Sequence, residues 1–186
     1  ATSPSGLTVD VTYDGSSTSP IDAGSYSLHV EVVDSNYVGS TDDTFTISSG
    51  SGSITVTDLT HTYDGNTHHV TVTTNPAGLS YTVTYGGSVT NPSAAGTYSV
   101  HVTITDPNYS GSRTVSMVIH QANASVTING TNQTYTGSPL PVTPSTSPSG
   151  LTLNCTYDGS STAPTQAGSY TVVCTVDDPN YSGSCL

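Results

Sequence analysis

The sequence predicts an all-β protein that consists of small β-sandwiches in tandem. Three observations lead to this prediction: the sequence repeats itself, short segments alternate between apolar and polar residues, and helix-forming residues are scarce. Of the 186 residues, one is Glu, one is Met and none is Lys. Thr contributes 34 residues and Tyr 12, which favour strands together with Val, while 18 Gly and 11 Pro favour turns.

The repeat has a period of 72 residues, without an insertion or deletion between copies. Three motifs recur at this spacing: Tyr-Asp-Gly or Tyr-Gly-Gly from Tyr13, Tyr85 and Tyr157, Ala-Gly-Ser-Tyr or Ala-Gly-Thr-Tyr from Ala23, Ala95 and Ala167, and Asn-Tyr from Asn36, Asn108 and Asn180. A fixed period of this kind indicates a tandem array of one structural unit.

The phase of the repeat predicts three segments. Residues 1–49 form a partial repeat that lacks its first strands, residues 50–121 form a complete repeat, and residues 122–186 form a repeat that lacks its last strand. Both ends omit the stretch equivalent to residues 43–72, so the tail of one copy would not complete the head of another. We therefore expect the sequence to be an excerpt of a longer tandem array.

In the middle copy, alternation of apolar and polar residues predicts strands with one buried and one wet face. These segments cover residues 54–56, 70–74, 79–85, 98–104 and 115–119. Turn residues separate them, as at Asp64-Gly65 and Asp106-Pro107-Asn108. Because the connections are short, we expect antiparallel sheets, which together would form a small β-sandwich.

The Ala-Gly-x-Tyr motif at the start of the segment 98–104, and of its equivalents in the other copies, has a more specific interpretation. In immunoglobulin folds, a tyrosine near a strand start donates its hydroxyl to upstream backbone, an arrangement called the tyrosine corner. Tyr26, Tyr98 and Tyr170 are the candidates, each with Gly two residues before it. The alternative is an ordinary core Tyr at a strand start. The corner makes the predicted fold a series of immunoglobulin-like β-sandwiches.

The charge balance excludes several classes of partner. One basic residue stands against thirteen acidic ones, for a formal net charge of -12. Such a chain lacks the basic surface that binds nucleic acid or anionic lipid. Its apolar runs are only a few residues long, so this segment is not expected to insert into a membrane.

No pattern typical of catalysis or of a cofactor site is present, so no enzyme and no catalytic residue is predicted. The aspartates of the turns recur with the period, which indicates that they bond turn backbone: Asp14, Asp34, Asp64, Asp106, Asp158 and Asp178. His61, His68 and His69 lie close in sequence, but neighbours on a strand face opposite sides, so these residues are interpreted as solvated surface. Calcium at Asp42-Asp43, at Asp177-Asp178 or at the junctions between domains is a further alternative, because hard oxygen ligands suit this ion.

The three cysteines, Cys155, Cys174 and Cys185, all lie in the last copy, which favours an oxidising compartment. Two pairings are open. Cys155 and Cys174 replace core residues on strands that an immunoglobulin-like topology places side by side. Cys174 and Cys185 would lie opposite each other if Asp178 to Tyr181 form a four-residue turn. A third alternative leaves all three reduced.

Six Asn-x-Ser/Thr sequons are candidates for N-linked glycosylation, although chance produces many in a chain so rich in Ser and Thr. They begin at Asn108, Asn123, Asn129, Asn132, Asn154 and Asn180. Exposed Ser and Thr residues also suit O-linked glycans.

The repeated motifs Thr-Tyr-Asp-Gly, Pro-Ser-Gly-Leu, Ala-Gly-Ser-Tyr and Asp-Pro-Asn-Tyr-Ser-Gly resemble the MBG/YDG-type repeats of bacterial surface proteins and adhesins. The resemblance implies an extracellular, structural or adhesive stalk at the cell surface, with further copies of the repeat as its partners. A subunit of a self-assembling, glycosylated filament is the first alternative. A module that binds a glycan or a host receptor is the second. Asp64 of the middle copy is replaced by Thr136, and only the last copy contains cysteines, so the copies are not equivalent.

Overall fold

The computed structural model describes all 186 residues, which form 18 strands and no helix. No helix that could span a membrane is found. The predicted all-β architecture is therefore confirmed. By its own contacts the chain divides into two compact units, Ala1–Thr55 with Val72–Val83 and His101–Thr114, and Val56–Thr71 with Thr84–Val100 and Val115–Leu186. Each unit combines one end repeat with part of the middle repeat.

The first repeat contains one antiparallel sheet of three strands, in the order β1 (Val9–Tyr13), β2 (Gly24–Val32) and β3 (Ser40–Ile47). A two-residue strand, β4 (Gly50–Ser51), follows in the linker to the next repeat. The chain reverses after β1 at Asp14-Gly15, where φ is 46° and 80°. Positive φ at both central residues characterises the type I′ turn, which Asp-Gly favours.

The middle repeat contains seven strands: β5 (Ser53–Thr57), β6 (Thr60–Thr62), β7 (Thr71–Asn75), β8 (Tyr81–Tyr85), β9 (Gly96–Ile104), β10 (Tyr109–Ser110) and β11 (Ser112–His120). One sheet has the order β6-β11-β9-β8, and a second consists of β5 and β7. Buried and more exposed residues alternate along β5, β9 and β11, as expected where one face of a sheet lies in a core. Val100, Val102 and Met117 are completely buried.

The third repeat also contains seven strands: β12 (Ala122–Asn123), β13 (Ser125–Asn129), β14 (Thr143–Ser147), β15 (Leu153–Tyr157), β16 (Val172–Val176), β17 (Tyr181–Ser182) and β18 (Ser184–Cys185). β13 pairs with β14, and β15, β16 and β18 form a three-stranded sheet. β18 corresponds to the first two residues of β11. A groove of about 810 Å³ lies beside β18, lined by both polar and apolar residues that include Gln133, Val126 and Tyr157.

The expectation that all sheets are antiparallel is wrong for three pairs of strands. β4 pairs with β10, β6 with β11 and β12 with β17, each in parallel. Parallel neighbours need a long connection between them. Most of the middle repeat connects β6 to β11. The other two pairs each join a linker to the repeat that follows it.

Each of the three candidate corner tyrosines makes the same type of hydrogen bond. Each hydroxyl donates to the carbonyl four residues upstream, at 2.8, 2.8 and 3.1 Å for Tyr26, Tyr98 and Tyr170. The preceding glycine makes room for the ring, because a Cβ added at Gly24 would lie 3.2 Å from the Tyr26 hydroxyl oxygen. This hydrogen bond fixes the start of the strand and the turn before it.

Candidate functional site: the junctions between repeats

The Asp-x-Asn-Tyr turn that precedes β10 is shaped by its own aspartate. The Asp106 carboxylate accepts a hydrogen bond from the Asn108 backbone N–H at 2.9 Å. Side chains of Asp and Asn commonly hold turns in this way. The same bond recurs at 2.7 Å between Asp34 and Asn36, and at 2.8 Å between Asp178 and Asn180.

The side chain of Asn108 reaches from the middle repeat to the tyrosine corner of the first repeat. Its Oδ1 accepts a hydrogen bond from the Ala23 backbone N–H at 2.6 Å, and its Nδ2 donates to Oδ1 of Asp22 at 2.9 Å. Asn108 is half-buried. One amide side chain therefore satisfies a backbone donor and a carboxylate of the neighbouring repeat.

The backbone of the linker after the first repeat is hydrogen-bonded to the Asn108 turn of the middle repeat and to the strand that follows it. The Gly50 N–H donates to the Asn108 carbonyl at 2.8 Å, and the Gly52 N–H donates to the Ser110 carbonyl at 2.9 Å. These two bonds belong to the parallel pair of β4 and β10. The linker is thus part of a small sheet with the repeat that it leads into.

Glycines allow the two backbones to approach at this point. A Cβ added at Gly52 would lie 2.5 Å from Cδ1 of Ile104 and 2.9 Å from Cδ1 of Leu79. A Cβ added at Gly111 would collide with the Gly52 carbonyl oxygen. Gly is the residue expected where backbone approaches backbone so closely.

The junction between the middle and third repeats, in the second unit, repeats this pattern. Oδ1 of Asn180 accepts from the Ala95 N–H at 2.8 Å. The linker N–H groups of Ala122 and Ala124 donate to the carbonyls of Asn180 and Ser182 at 2.9 and 2.8 Å. Both junctions therefore use the same atoms, displaced by one period.

The second junction differs from the first in its remaining contacts. Ala94 stands where the first junction has Asp22, so the carboxylate partner of the amide is missing. Instead, Nε2 of Gln121 donates to the carbonyl of Asp178 at 3.0 Å. The rings of Tyr63 and Tyr181 also pack edge to face, with centroids 5.2 Å apart.

Comparison with known protein families assigns the repeats. The family model described as MBG domain matches residues 1–51, 52–123 and 124–186, which together are the whole chain. The chain belongs to the MBG domain family. The resemblance seen in the motifs is confirmed, and each match boundary lies two residues after the one that the period predicts. Neither a curated protein nor a solved structure matches the chain.

The first MBG repeat presents the same turn without a neighbour on it. Asn36 is exposed, whereas the equivalent Asn108 and Asn180 are half-buried. Tyr37 is 46% exposed and Val38 is 98% exposed. The turn therefore folds without the junction, because its Asp34 hydrogen bond is local.

The hydrogen bonds of one junction together contribute several kcal/mol to its stability. A protein hydrogen bond contributes about 0.5–1.5 kcal/mol net, so the four bonds made by Asn108, Gly50 and Gly52 contribute on the order of 2–6 kcal/mol. The covalent linker keeps neighbouring MBG repeats at a high effective concentration, which lowers the entropic cost of forming the junction.

The turn aspartates have the structural role that their recurrence indicates. Each accepts a backbone N–H in its own turn or from the adjoining strand: Asp14, Asp34, Asp64, Asp106, Asp158 and Asp178. The backbone N–H of Asn66 lowers the pKa of the Asp64 carboxyl, and the Asn66 side chain and His68 add to this. A lowered pKa means that the ionised form stabilises the fold above the ordinary aspartate pKa, and that this contribution is lost as the pH falls through the lowered value.

The histidines of the middle repeat are not all solvated surface, which corrects the interpretation from the sequence. The rings of His61 and His68 stack with centroids 4.6 Å apart, and Nε2 of His68 lies 3.2 Å from Oδ1 of Asp64. The His68 side chain is only 13% exposed. No group of three or more His, Cys, Asp or Glu residues is placed to hold a metal ion.

The acidic pairs considered for calcium make other contacts. Oδ1 of Asp42 lies 2.6 Å from Nδ1 of His29, and Oδ1 of Asp43 accepts from the Thr44 N–H at 2.7 Å. Oδ2 of Asp177 accepts from Nδ2 of Asn154 at 3.1 Å. These carboxylates therefore act within the sheet and its turns.

The sequons fall into two groups by position. The amides of Asn108 and Asn180 hold the junctions, so a glycan on either would displace the neighbouring MBG repeat. The other four are exposed: Asn123, Asn129, Asn132 and Asn154. The sequence indicates only a turn residue and a sequon at Asn108, and misses its contact with the first repeat. Its recurrence with the period does not separate the two roles, because Asn36 recurs in the same turn without such a contact.

The cysteines of the third repeat lie on three neighbouring strands. Cys155 and Cys174 form a disulfide between β15 and β16, and Cys185 on β18 is a free thiol. The structure thus has the first of the two predicted pairings, and the alternative with three reduced cysteines is wrong. Cys185 lies opposite Cys174, in the register that the second pairing required.

Proposed function

We propose that these MBG repeats form an extracellular structural stalk, in which each repeat is fixed to the next and no repeat catalyses a reaction. The observation that carries the proposal is the recurrence of the same junction at both boundaries. A flexible connection between domains leaves its linker solvated and unpaired. Here both linkers are hydrogen-bonded to the repeat that follows.

The composition supports the same function. The -12 net charge keeps repeats soluble and mutually repelling along a stalk. The repeated residues form turns, cores and junctions, which suits a scaffold that acts as a spacer. The disulfide in the third repeat suits a location outside the reducing cytosol.

Location and function can be tested together on source cells. Antibodies against the repeats should label intact cells, and mild external proteolysis should remove the label. Labelling only after lysis would contradict an extracellular stalk.

Asn108→Ala should weaken the first junction, because it leaves the Ala23 N–H without its acceptor and Asp22 without its donor. We expect the first repeat to lose about 1–3 kcal/mol of stability. Denaturant unfolding, followed by NMR signals of the first repeat, measures this loss. Asn36→Ala is the matched control, because Asn36 occupies the same turn position without the junction. It should cost less than about 0.5 kcal/mol. Equal losses of stability in the two variants would contradict a role of Asn108 in the junction.

A further inference from the structure

The cysteines of the third repeat occupy one level of a three-stranded sheet. Cys155 on β15 lies opposite Cys174 on β16, and Cys174 lies opposite Cys185 on β18. Residues directly opposite in antiparallel strands have their side chains on the same face. Cys174 is completely buried and lies between its two neighbours. The two pairings that the sequence left as rivals are thus both in register.

Backbone hydrogen bonds define the distance between Cys174 and Cys185. The Val176 N–H donates to the Gly183 carbonyl at 2.8 Å, on the β18 side, and the Asp177 N–H donates to the Thr152 carbonyl at 2.9 Å, on the β15 side. Alternate residues of a strand point their backbone groups the same way, so the backbone groups of Cys174 point toward β18, as those of Val176 do.

Cys174 and Cys185 therefore form the hydrogen-bonded type of antiparallel pair. The Cα atoms in such a pair are about 5.5 Å apart. Disulfides span Cα separations of roughly 4.4–6.8 Å. The Cα separation of this pair suits a bridge between Cys174 and Cys185. The Cβ atoms of a hydrogen-bonded pair are about 5.5 Å apart and those of a disulfide about 3.5–4.5 Å, so the bridge also needs a small local approach of β16 and β18.

We propose that Cys174 is a thiol–disulfide exchange site with two interchangeable partners, Cys155 and Cys185. The thiolate of Cys185 attacks Sγ of Cys174 and forms the new sulfur–sulfur bond. The bond between Cys174 and Cys155 breaks, and Cys155 leaves as a thiolate that takes up the proton lost by Cys185. One disulfide and one thiol are present before and after, so no oxidant or reductant is needed.

The strand order makes the exchange selective. Cys185 neighbours only Cys174, while Cys155 lies one strand further away, about 10 Å across two strand spacings. The attack therefore falls on Sγ of Cys174, and a bridge between Cys155 and Cys185 does not form.

The exchange moves a covalent link from the β15–β16 pair to the β16–β18 pair. The middle repeat has a non-covalent tie at the same position, because Arg113, the equivalent of Cys185, donates from Nη1 to the Ile54 carbonyl at 2.9 Å. In the third repeat Cys185 cannot make that bond. A Cys174–Cys185 bridge would instead tie β18 covalently to β16. This inference does not depend on the proposed stalk function.

The test follows disulfide linkages in the full chain. The protein is incubated at about pH 9, where thiolate chemistry is fast, then acidified, alkylated and digested without reduction. Mass spectrometry of the linked peptides should show Cys174–Cys185 growing to more than roughly a tenth of the bridged protein, at a rate independent of protein concentration. Cys155–Cys185 should be absent. Cys155–Cys174 as the only bridge at equilibrium would overturn the proposal, as would a rate proportional to concentration.

Two variants accompany the wild-type measurement. Cys155→Ser should form the Cys174–Cys185 bridge on mild oxidation, because the register is unchanged. Cys174→Ser is the matched control and should leave Cys155 and Cys185 as free thiols. A Cys155–Cys185 bridge in that variant would contradict the geometry. If either variant fails to fold, the wild-type linkage measurement alone decides.

Discussion

Gly111→Ala is expected to open the first junction, while the equivalent change Gly39→Ala is expected to leave the protein intact. The Cβ that the substitution adds at Gly111 would meet the Gly52 carbonyl oxygen, which is backbone and has no rotamer by which to move away. Either β4 separates from β10 or the strands distort. We expect a loss of about 1–3 kcal/mol, as for other overpacked sites.

Gly39→Ala is the matched control, because Gly39 is the equivalent of Gly111 in the first repeat. A Cβ at Gly39 would meet only Cγ2 of Val32, at 3.9 Å, which is an ordinary contact. Neither glycine has positive φ, so the substitution tests space alone. Chemical denaturation and ¹⁵N relaxation of the first repeat measure stability and independent tumbling. If Gly111→Ala behaved like Gly39→Ala, the close approach of the two backbones would be refuted. Gly183→Ala should have the same effect at the second junction.

Met117→Ala should cause the largest loss of stability within a repeat. The Met117 side chain is completely buried on β11, so its removal both loses apolar burial and leaves a cavity. Substitutions of this kind cost about 2–5 kcal/mol. Thermal and denaturant unfolding of the middle repeat measure the change. Val89→Ala is the control, because Val89 is 78% exposed, and it should stay within roughly 0.5 kcal/mol of the wild type. A loss for Met117→Ala as small as that of Val89→Ala would contradict the assigned core.

Much of each repeat could be predicted because its information is local. Alternation along residues 54–56 and 98–104 located β5 and β9, and the recurring turn aspartates indicated their own hydrogen bonds. Cys155 and Cys174 replace core residues on adjacent strands, which made their pairing one of the two that the sequence left open, and the structure has this one. In each case, the residue type and its spacing carry the physical cause.

The parallel pairs and the junctions could not be predicted in the same way. Periodicity locates a strand but does not show which distant strand lies beside it, so the pairing of β6 with β11 was missed. Asn108 has a sufficient local explanation in its turn, which concealed its bond to Ala23 in another repeat. A contact between residues 85 positions apart has no signature in the sequence near either one.

Amide hydrogen exchange can show whether Asn side chains hold consecutive MBG repeats together. The Ala23 and Ala95 N–H groups donate only across a junction, whereas the equivalent Ala167 is exposed and has no such acceptor. We expect the Ala23 and Ala95 N–H groups to exchange about 100-fold more slowly than that of Ala167 in the same sample. Equal exchange at all three positions would contradict it.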